Sequence, residues 1–114
     1  MLIEPEHIYL HVAPIDFRKS INGLHAIVEQ EMEHDIYQAG SVFIFCNKGR
    51  DKVKIIYWDN TGFALWYKRL EKDKFKWPKP LQQQLTITPL QLNYLLAGFD
   101  IIGHSRLNTT GLYL

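Results

Sequence analysis

Two alternating segments joined by turn residues constrain the fold of this chain more than any other feature. In the predicted strand Lys52–Trp58, one face carries Lys52, Lys54, Ile56 and Trp58 and the other carries Val53, Ile55 and Tyr57. Phe63–Arg69 can return beside it as a second strand. Asp59–Gly62 between them favours a turn, with Gly62 expected in the left-handed conformation. The expected facing pairs are Trp58 with Phe63, Lys54 with Tyr67, and Lys52 with Arg69. A bulge at Gly62 would instead turn the side chains of the returning strand to the other face.

Basic residues are concentrated in and around this hairpin. Residues 47–79 contain ten Lys and Arg against four Asp and Glu, a formal charge of +6, whereas residues 1–46 carry −5 and the whole chain only +1. Such segregation indicates a surface that meets nucleic acid or an acidic partner. The residues predicted to bind DNA are Arg50, Lys52, Lys54, Tyr67, Lys68, Arg69, Lys72, Lys74 and Lys76. The alternative is that these lysines are the solvated face and protected edge of an antiparallel sheet.

Periodicity predicts further elements on both sides of the hairpin. Additional strands are expected at His7–Val12, Ser41–Cys46, Lys74–Trp77 and Leu85–Ile87. Apolar residues at helical spacing predict a helix over Phe17–Met32, with Asp16 as its N-cap. A second helix is expected to start at Pro89 after a Thr88 cap and to stop near Gly98.

These elements predict a single α+β domain over residues 1–102. It would contain a mainly antiparallel sheet of about four or five strands, with the long helix packed on one face and the C-terminal helix closing the core. Residues 103–114 contain Ser, Asn, Thr and Gly and are expected to form a loosely ordered tail. The pattern leaves the oligomeric state open.

Composition restricts the compartment. A single cysteine, Cys46, excludes an internal disulfide framework and suits a reducing environment. The apolar runs are too short to cross a bilayer, and the acidic amino terminus does not resemble a signal peptide. We therefore expect a cytoplasmic protein with no membrane contact.

Catalytic and metal-binding patterns are weak. The carboxylates that could serve a metal-dependent nuclease by type are Asp16, Asp59, Glu71 and Asp100. Capping, turn formation and ion pairing with lysines explain the first three without catalysis. His7 and His11 share a strand face but lack further ligands. We predict no catalytic residue, no metal and no cofactor, with a nuclease as the minor alternative.

Arg18 and Lys19 follow the predicted cap, where a cation is disfavoured by the helix dipole, typically by ~0.3–1 kcal/mol. Contact with a phosphate or with an acidic partner would explain this placement. Pairing of these cations with Asp16 or Glu4 is the structural alternative, and the sequence slightly favours it.

Three blocks of the chain resemble a known family. They are PIDFRKSINGL at Pro14–Leu24, the long block at Val42–Pro78 that contains the hairpin, and ITPLQLNYLLAGFDI at Ile87–Ile101. They are similar to the small TnpB-type accessory protein, encoded by the short second reading frame, of the IS sixty-six class of bacterial insertion sequences. The resemblance implies a non-catalytic role in transposition beside a separate transposase that cuts the DNA.

The resemblance and the charge pattern together give a functional hypothesis. The basic hairpin would hold the ends of the element DNA, while the acidic helix or exposed aromatic side chains would contact the transposase. A protein adaptor that binds the transposase without touching DNA is the alternative.

Overall fold

The structure, a computed structural model that describes residues 4–102, is built on one mixed five-stranded sheet. Its strands are β1 His7–His11, β2 Ser41–Cys46, β3 Lys52–Trp58, β4 Phe63–Arg69 and β5 Gln84–Ile87. They lie in the order β4-β3-β2-β1-β5, with β1 and β2 parallel and the other neighbours antiparallel. The predicted α+β class is confirmed, and the predicted tail at 103–114 lies outside the described residues.

The hairpin of β3 and β4 has the predicted register, without a bulge. Trp58 pairs with Phe63, Lys54 with Tyr67, and Lys52 with Arg69. The turn differs from the prediction, because Asn60 takes the left-handed conformation with φ 53° and Gly62 does not. Asparagine tolerates this region better than most residues, so the turn needs no glycine there.

The first helix is shorter than predicted. Helix α1 spans Ile21–Ala26, with Ser20 as its N-cap, and continues as a π-helical turn over Ile27–Glu31. The prediction of a helix from Phe17 capped by Asp16 is wrong. The Asp16 carboxylate instead accepts a hydrogen bond from the backbone N–H of Arg18 at 2.9 Å, which forms a separate turn before the helix.

The second helix, α2 at Pro89–Leu96, begins and ends as predicted. Thr88 and Gln91 form a reciprocal capping box, because the Thr88 hydroxyl accepts from the Gln91 N–H and the Gln91 side chain accepts from the Thr88 N–H. Gly98 follows the helix with φ 97° and donates its N–H to the Leu95 carbonyl at 3.0 Å. A glycine in this conformation ends the helix without steric cost.

Apolar residues cover both faces of the sheet. On one face, α1 and the π-helical turn pack through Leu24, Val28 and Met32 against Phe43 and Ile56. On the other face, the residues buried together are Val42, Ile44, Ile55, Phe75, Trp77, Leu92 and Leu95. Two layers therefore enclose the sheet, as its continuous apolar strands require.

The predicted strand at Lys74–Trp77 is absent among the described residues. This segment instead packs across the sheet through Phe75 and Trp77, both almost fully buried. The Phe75 N–H donates to the Arg50 carbonyl at 2.7 Å. A single backbone hydrogen bond of this kind anchors the segment without forming a ladder.

Candidate nucleic-acid interface

A groove lined by cations lies at the end of the sheet where β2 ends and β3 begins. Its central cleft has a volume of about 630 Å³ and lies between the 47–51 loop, the 74–80 segment and the residues after α2. Adjoining depressions share lining residues with this cleft and extend it in both directions. We call this feature the basic groove and define it by Lys48, Arg50, Lys72, Lys74, Lys76 and Lys79.

One side of the groove is the loop between β2 and β3, which a single asparagine organises. The Asn47 side-chain oxygen accepts from the N–H groups of Asp51 and Lys52 at 3.1 and 3.0 Å, and its amide donates to the Asp51 carboxylate at 2.7 Å. This last bond lowers the pKa of Asp51 below its ordinary value. The loop holds Arg50 in the left-handed conformation with φ 60°, an unfavourable state that recurs at binding sites.

The opposite side of the groove is a segment without regular secondary structure that is nevertheless firmly anchored. Phe75 and Trp77 point into the core, whereas Lys74 and Lys76 are exposed. The Trp77 indole N–H donates to the carbonyl oxygens at the end of β1, at 3.2 and 3.1 Å. This alternation between buried aromatic and exposed basic residues places the two lysines in the groove.

Lys54, which the sequence placed among the DNA-binding residues, lies on the α1 face of the sheet. Its Nζ donates to the carbonyl oxygens of Phe17 at 2.8 Å and Lys19 at 3.3 Å, and it lies 4.7 Å from the centre of the Phe17 ring. Burial lowers the pKa of Lys54 from its ordinary value, and the nearby Asp16 partly opposes this effect. The ammonium group therefore stabilises the turn that precedes α1.

Lys68 and Arg69 also have partners inside the molecule. The Lys68 Nζ donates to the Leu96 carbonyl at 2.9 Å, where a cation complements the negative end of α2. The Arg69 guanidinium bonds the Glu71 carboxylate at 2.8 Å, which raises the pKa of Arg69.

Of the predicted residues, only Arg50, Lys72, Lys74 and Lys76 line the groove. Those on the α1 face of the hairpin are Lys52, Lys54, Tyr67 and Arg69, as the strand register requires.

The groove contains two cations that the prediction omitted, Lys48 and Lys79. Both lie within residues 47–79, so the charge excess of that segment already indicated them as candidates. Their position beside the other groove residues was not readable from periodicity, because neither lies in a helix or a strand.

Arg18 pairs with Asp16, which was the structural alternative to contact with a phosphate or an acidic partner. Its guanidinium bonds both oxygens of the Asp16 carboxylate, the shorter contact being 2.6 Å. This pair lowers the pKa of Asp16 to about 2. The Lys19 backbone N–H donates to the Asp16 carbonyl at 3.1 Å, and the Lys19 carbonyl accepts the longer bond from Lys54.

The candidate catalytic carboxylates do not converge. Asp16 and Glu71 are each paired with an arginine, and Asp59 lies in the hairpin turn at the other end of β3. Asp100 lines the central cleft and accepts from the Ile102 N–H at 2.9 Å. Over residues 4–102, no three His, Cys, Asp or Glu side chains are grouped so that they could hold a metal ion. Over the same range, no helix has the length and apolar character needed to cross a membrane.

Comparison with known proteins gives a consistent set of relatives. The model of a family described as IS66 Orf2-like proteins matches residues 6–106. The chain is 39% identical over 87 residues to the uncharacterized protein y4jC of Sinorhizobium fredii, covering 76% of this chain and 74% of that protein. It is 38% identical over 61 residues to the uncharacterized protein y4hO of the same organism, covering 54% and 53%. No solved structure matches the chain significantly.

Proposed function

We propose that this chain, which belongs to the IS66 Orf2-like protein family, assists insertion-sequence transposition by holding element DNA in the basic groove. Family membership supports an accessory role beside a separate transposase. The DNA-binding part of the proposal depends on the groove. The bound DNA would be the element ends, where an accessory factor can act on the same substrate as the transposase.

The observation that carries the proposal is the excess of cations in one concave surface, where six Lys and Arg side chains lie with three carboxylates, those of Glu71, Asp73 and Asp100. None of the six groove cations forms an ion pair with any residue in the range 4–102. The groove therefore presents positive charge that a polyanion can neutralise, and release of counterions from DNA would drive that association. The cations of the hairpin face contribute less, because Lys54 and Arg69 have internal partners.

The aromatic residues of the groove restrict the kind of contact. Phe75 is 1% exposed and Trp77 is 7% exposed, so neither ring can stack on a nucleic-acid base without unfolding of the segment. The groove is thus suited to phosphates, which are present in every sequence and on every duplex. Binding would then be strongly salt-dependent, with a slope of log K against log salt of about −5 if all six cations contact phosphates.

The test is a binding titration with the full chain and two fluorescent duplexes, the terminal repeat of the element and a scrambled sequence, across a range of salt. The double variant Lys74→Glu and Lys76→Glu should weaken binding to both duplexes at least tenfold and reduce the salt slope. The matched double variant Lys19→Glu and Lys52→Glu makes the same change in net charge outside the groove and should have a much smaller effect.

Three results are informative. Equal weakening by both double variants would show that total charge matters and the groove does not. Preference for the terminal repeat would add recognition of the element ends to the proposal. An unmodified chain that binds neither duplex at low salt would refute DNA binding and favour the protein adaptor.

A further inference from the structure

Strand β4 forms one edge of the sheet, and no strand among the described residues pairs with its outer side. At the turn, the Asp59 N–H donates to the Gly62 carbonyl at 2.7 Å, and beyond the strand the Leu70 N–H donates to the Asp51 carbonyl at 2.8 Å. In an antiparallel ladder, the backbone groups of successive residues point alternately towards and away from the neighbouring strand. These two bonds therefore fix which residues of β4 bond to β3. The residues whose backbone groups point away from β3 are therefore Phe63, Leu65, Tyr67 and Arg69.

Apart from the charged Lys68 and Arg69 at one end, this edge lacks the usual protection against pairing with another strand. It is seven residues long, has no bulge and contains no proline. Over residues 4–102, no hydrogen bond uses the outward backbone groups of β4. Leu65 is 40% exposed and Tyr67 is 49% exposed beside those groups. Unpaired backbone groups and exposed side chains thus lie together along the outer edge of β4.

We propose that a second copy of this chain occupies the edge, with the two β4 strands antiparallel about a twofold axis at Trp66. In this register Leu65 faces the partner's Tyr67, and Phe63 faces the partner's Arg69. All four outward residues then form hydrogen-bonded pairs, and the two five-stranded sheets become one continuous sheet. Such an interface is isologous, because each copy contributes the same residues.

The charge pattern of β4 fits this partner. Lys68 faces the partner's Ala64, and Arg69 faces the partner's Phe63, so no two like charges are opposed across the axis. An arginine beside an aromatic ring gains a cation–π contact. A shift of the register by two residues would leave an outward residue at an end of the strand without a partner. The Trp66-centred register alone uses the whole edge.

Two matched double variants test the pairing, because they differ only at position 65. Leu65→Asp with Tyr67→Asp opposes like charges twice across the axis, whereas Leu65→Lys with Tyr67→Asp opposes unlike charges twice. Both place Tyr67→Asp opposite Lys54 inside one chain, where an acid is favourable. Cross-strand pair energies imply a dimer dissociation constant about tenfold higher for the like-charge double variant than for the unlike-charge one.

Sedimentation equilibrium of the full chain measures these states. We expect the unmodified chain and the unlike-charge variant to have twice the mass of the 13.4 kDa monomer, and the like-charge variant to dissociate. Circular dichroism should show that both variants are folded, since positions 65 and 67 are exposed. An unmodified chain that stays monomeric at high micromolar concentration, or double variants with equal masses, would overturn the proposal. Capture of a different protein's strand by a monomeric chain would do the same.

A cross-link tests the register independently. Side chains that face each other across antiparallel strands have Cβ atoms about 4.5–5.5 Å apart, close to disulfide reach, so Trp66→Cys should link two copies on mild oxidation. Ala64→Cys is the matched control, because position 64 lies about 13 Å from its copy in this register. Cys46 is buried, and burial raises its pKa to about 12, so it contributes no link. Equal cross-linking at both positions, or none at position 66 in a folded variant, would refute this register. The inference is independent of DNA binding.

Discussion

Replacement of Lys54 by methionine should destabilise the fold, although lysines in sheets are usually replaceable. Methionine keeps most of the aliphatic stem and removes the ammonium group. The carbonyl oxygens of Phe17 and Lys19 would lose their donor, and the Phe17 ring would lose its cation. The turn before α1 would therefore be the first part of the molecule affected.

The magnitude follows from these contacts. A hydrogen bond from a charged donor contributes about 1.5–3 kcal/mol, and the bond to Phe17 at 2.8 Å has the length of a strong one. The longer bond to Lys19 contributes less, and the cation–π contact adds about 0.5–1 kcal/mol. Relief of the partial desolvation that lowers the pKa of Lys54 offsets part of this sum. We expect a net loss of about 2 kcal/mol in the free energy of unfolding.

Urea denaturation followed by tryptophan fluorescence measures this loss, which corresponds to a midpoint lower by about 1 M. Lys52→Met is the matched control, because Lys52 lies two positions earlier on the same strand and face. Its side chain makes no hydrogen bond with the residues that the structure describes. Its loss should be within about 0.5 kcal/mol. Equal stability of the two variants would refute the structural role of Lys54. Weaker DNA binding by Lys54→Met with unchanged stability would restore it to the DNA-binding set.

Three further predictions concern single side chains. The thiol of Cys46, whose pKa burial raises to about 12, should react with a thiol reagent at neutral pH only after denaturant is added, and rapid labelling of the folded chain would contradict its burial. Lys68→Met should cost about 1 kcal/mol in urea denaturation through the loss of its bond to Leu96. The pKa of Asp16 falls from 3.8 to about 2 on folding, so the stabilisation by its pair with Arg18 is present above pH 3.8 and is lost as the pH falls towards 2. The difference in urea midpoint between the unmodified chain and Asp16→Asn should therefore shrink over that pH range, and a constant difference would contradict the pair.

The hairpin and the second helix could be predicted from the sequence because local signals determine them. Alternation fixes which residues of β3 and β4 share a face, and Thr88 with Pro89 marks a helix start that needs no distant contact. The start of α1 could not be predicted in the same way. The apolar spacing continues back to Phe17, but the short Asp16 side chain bonds the Arg18 backbone and ends the helical path.

The basic groove required the structure, because it joins segments that are far apart in the sequence. Charge counts show that residues 47–79 are basic but give no partner for any single lysine. Lys68 and Lys74 are equivalent in composition, yet one caps α2 and the other is exposed in the groove. The difference depends on which face of the fold each reaches, and Lys74 lies outside any periodic element.

The anchoring of Phe75 and Trp77 lowers the entropic cost of filling the groove. The backbone beneath Lys74 and Lys76 is already ordered by the core before any ligand arrives. A polyanion would therefore restrict only side-chain rotamers, at about 0.5–1.5 kcal/mol for each long side chain. A free basic loop would lose a further 1–2 kcal/mol, roughly, for each backbone residue that became ordered. The buried aromatic residues would thus favour the proposed binding without touching the polyanion.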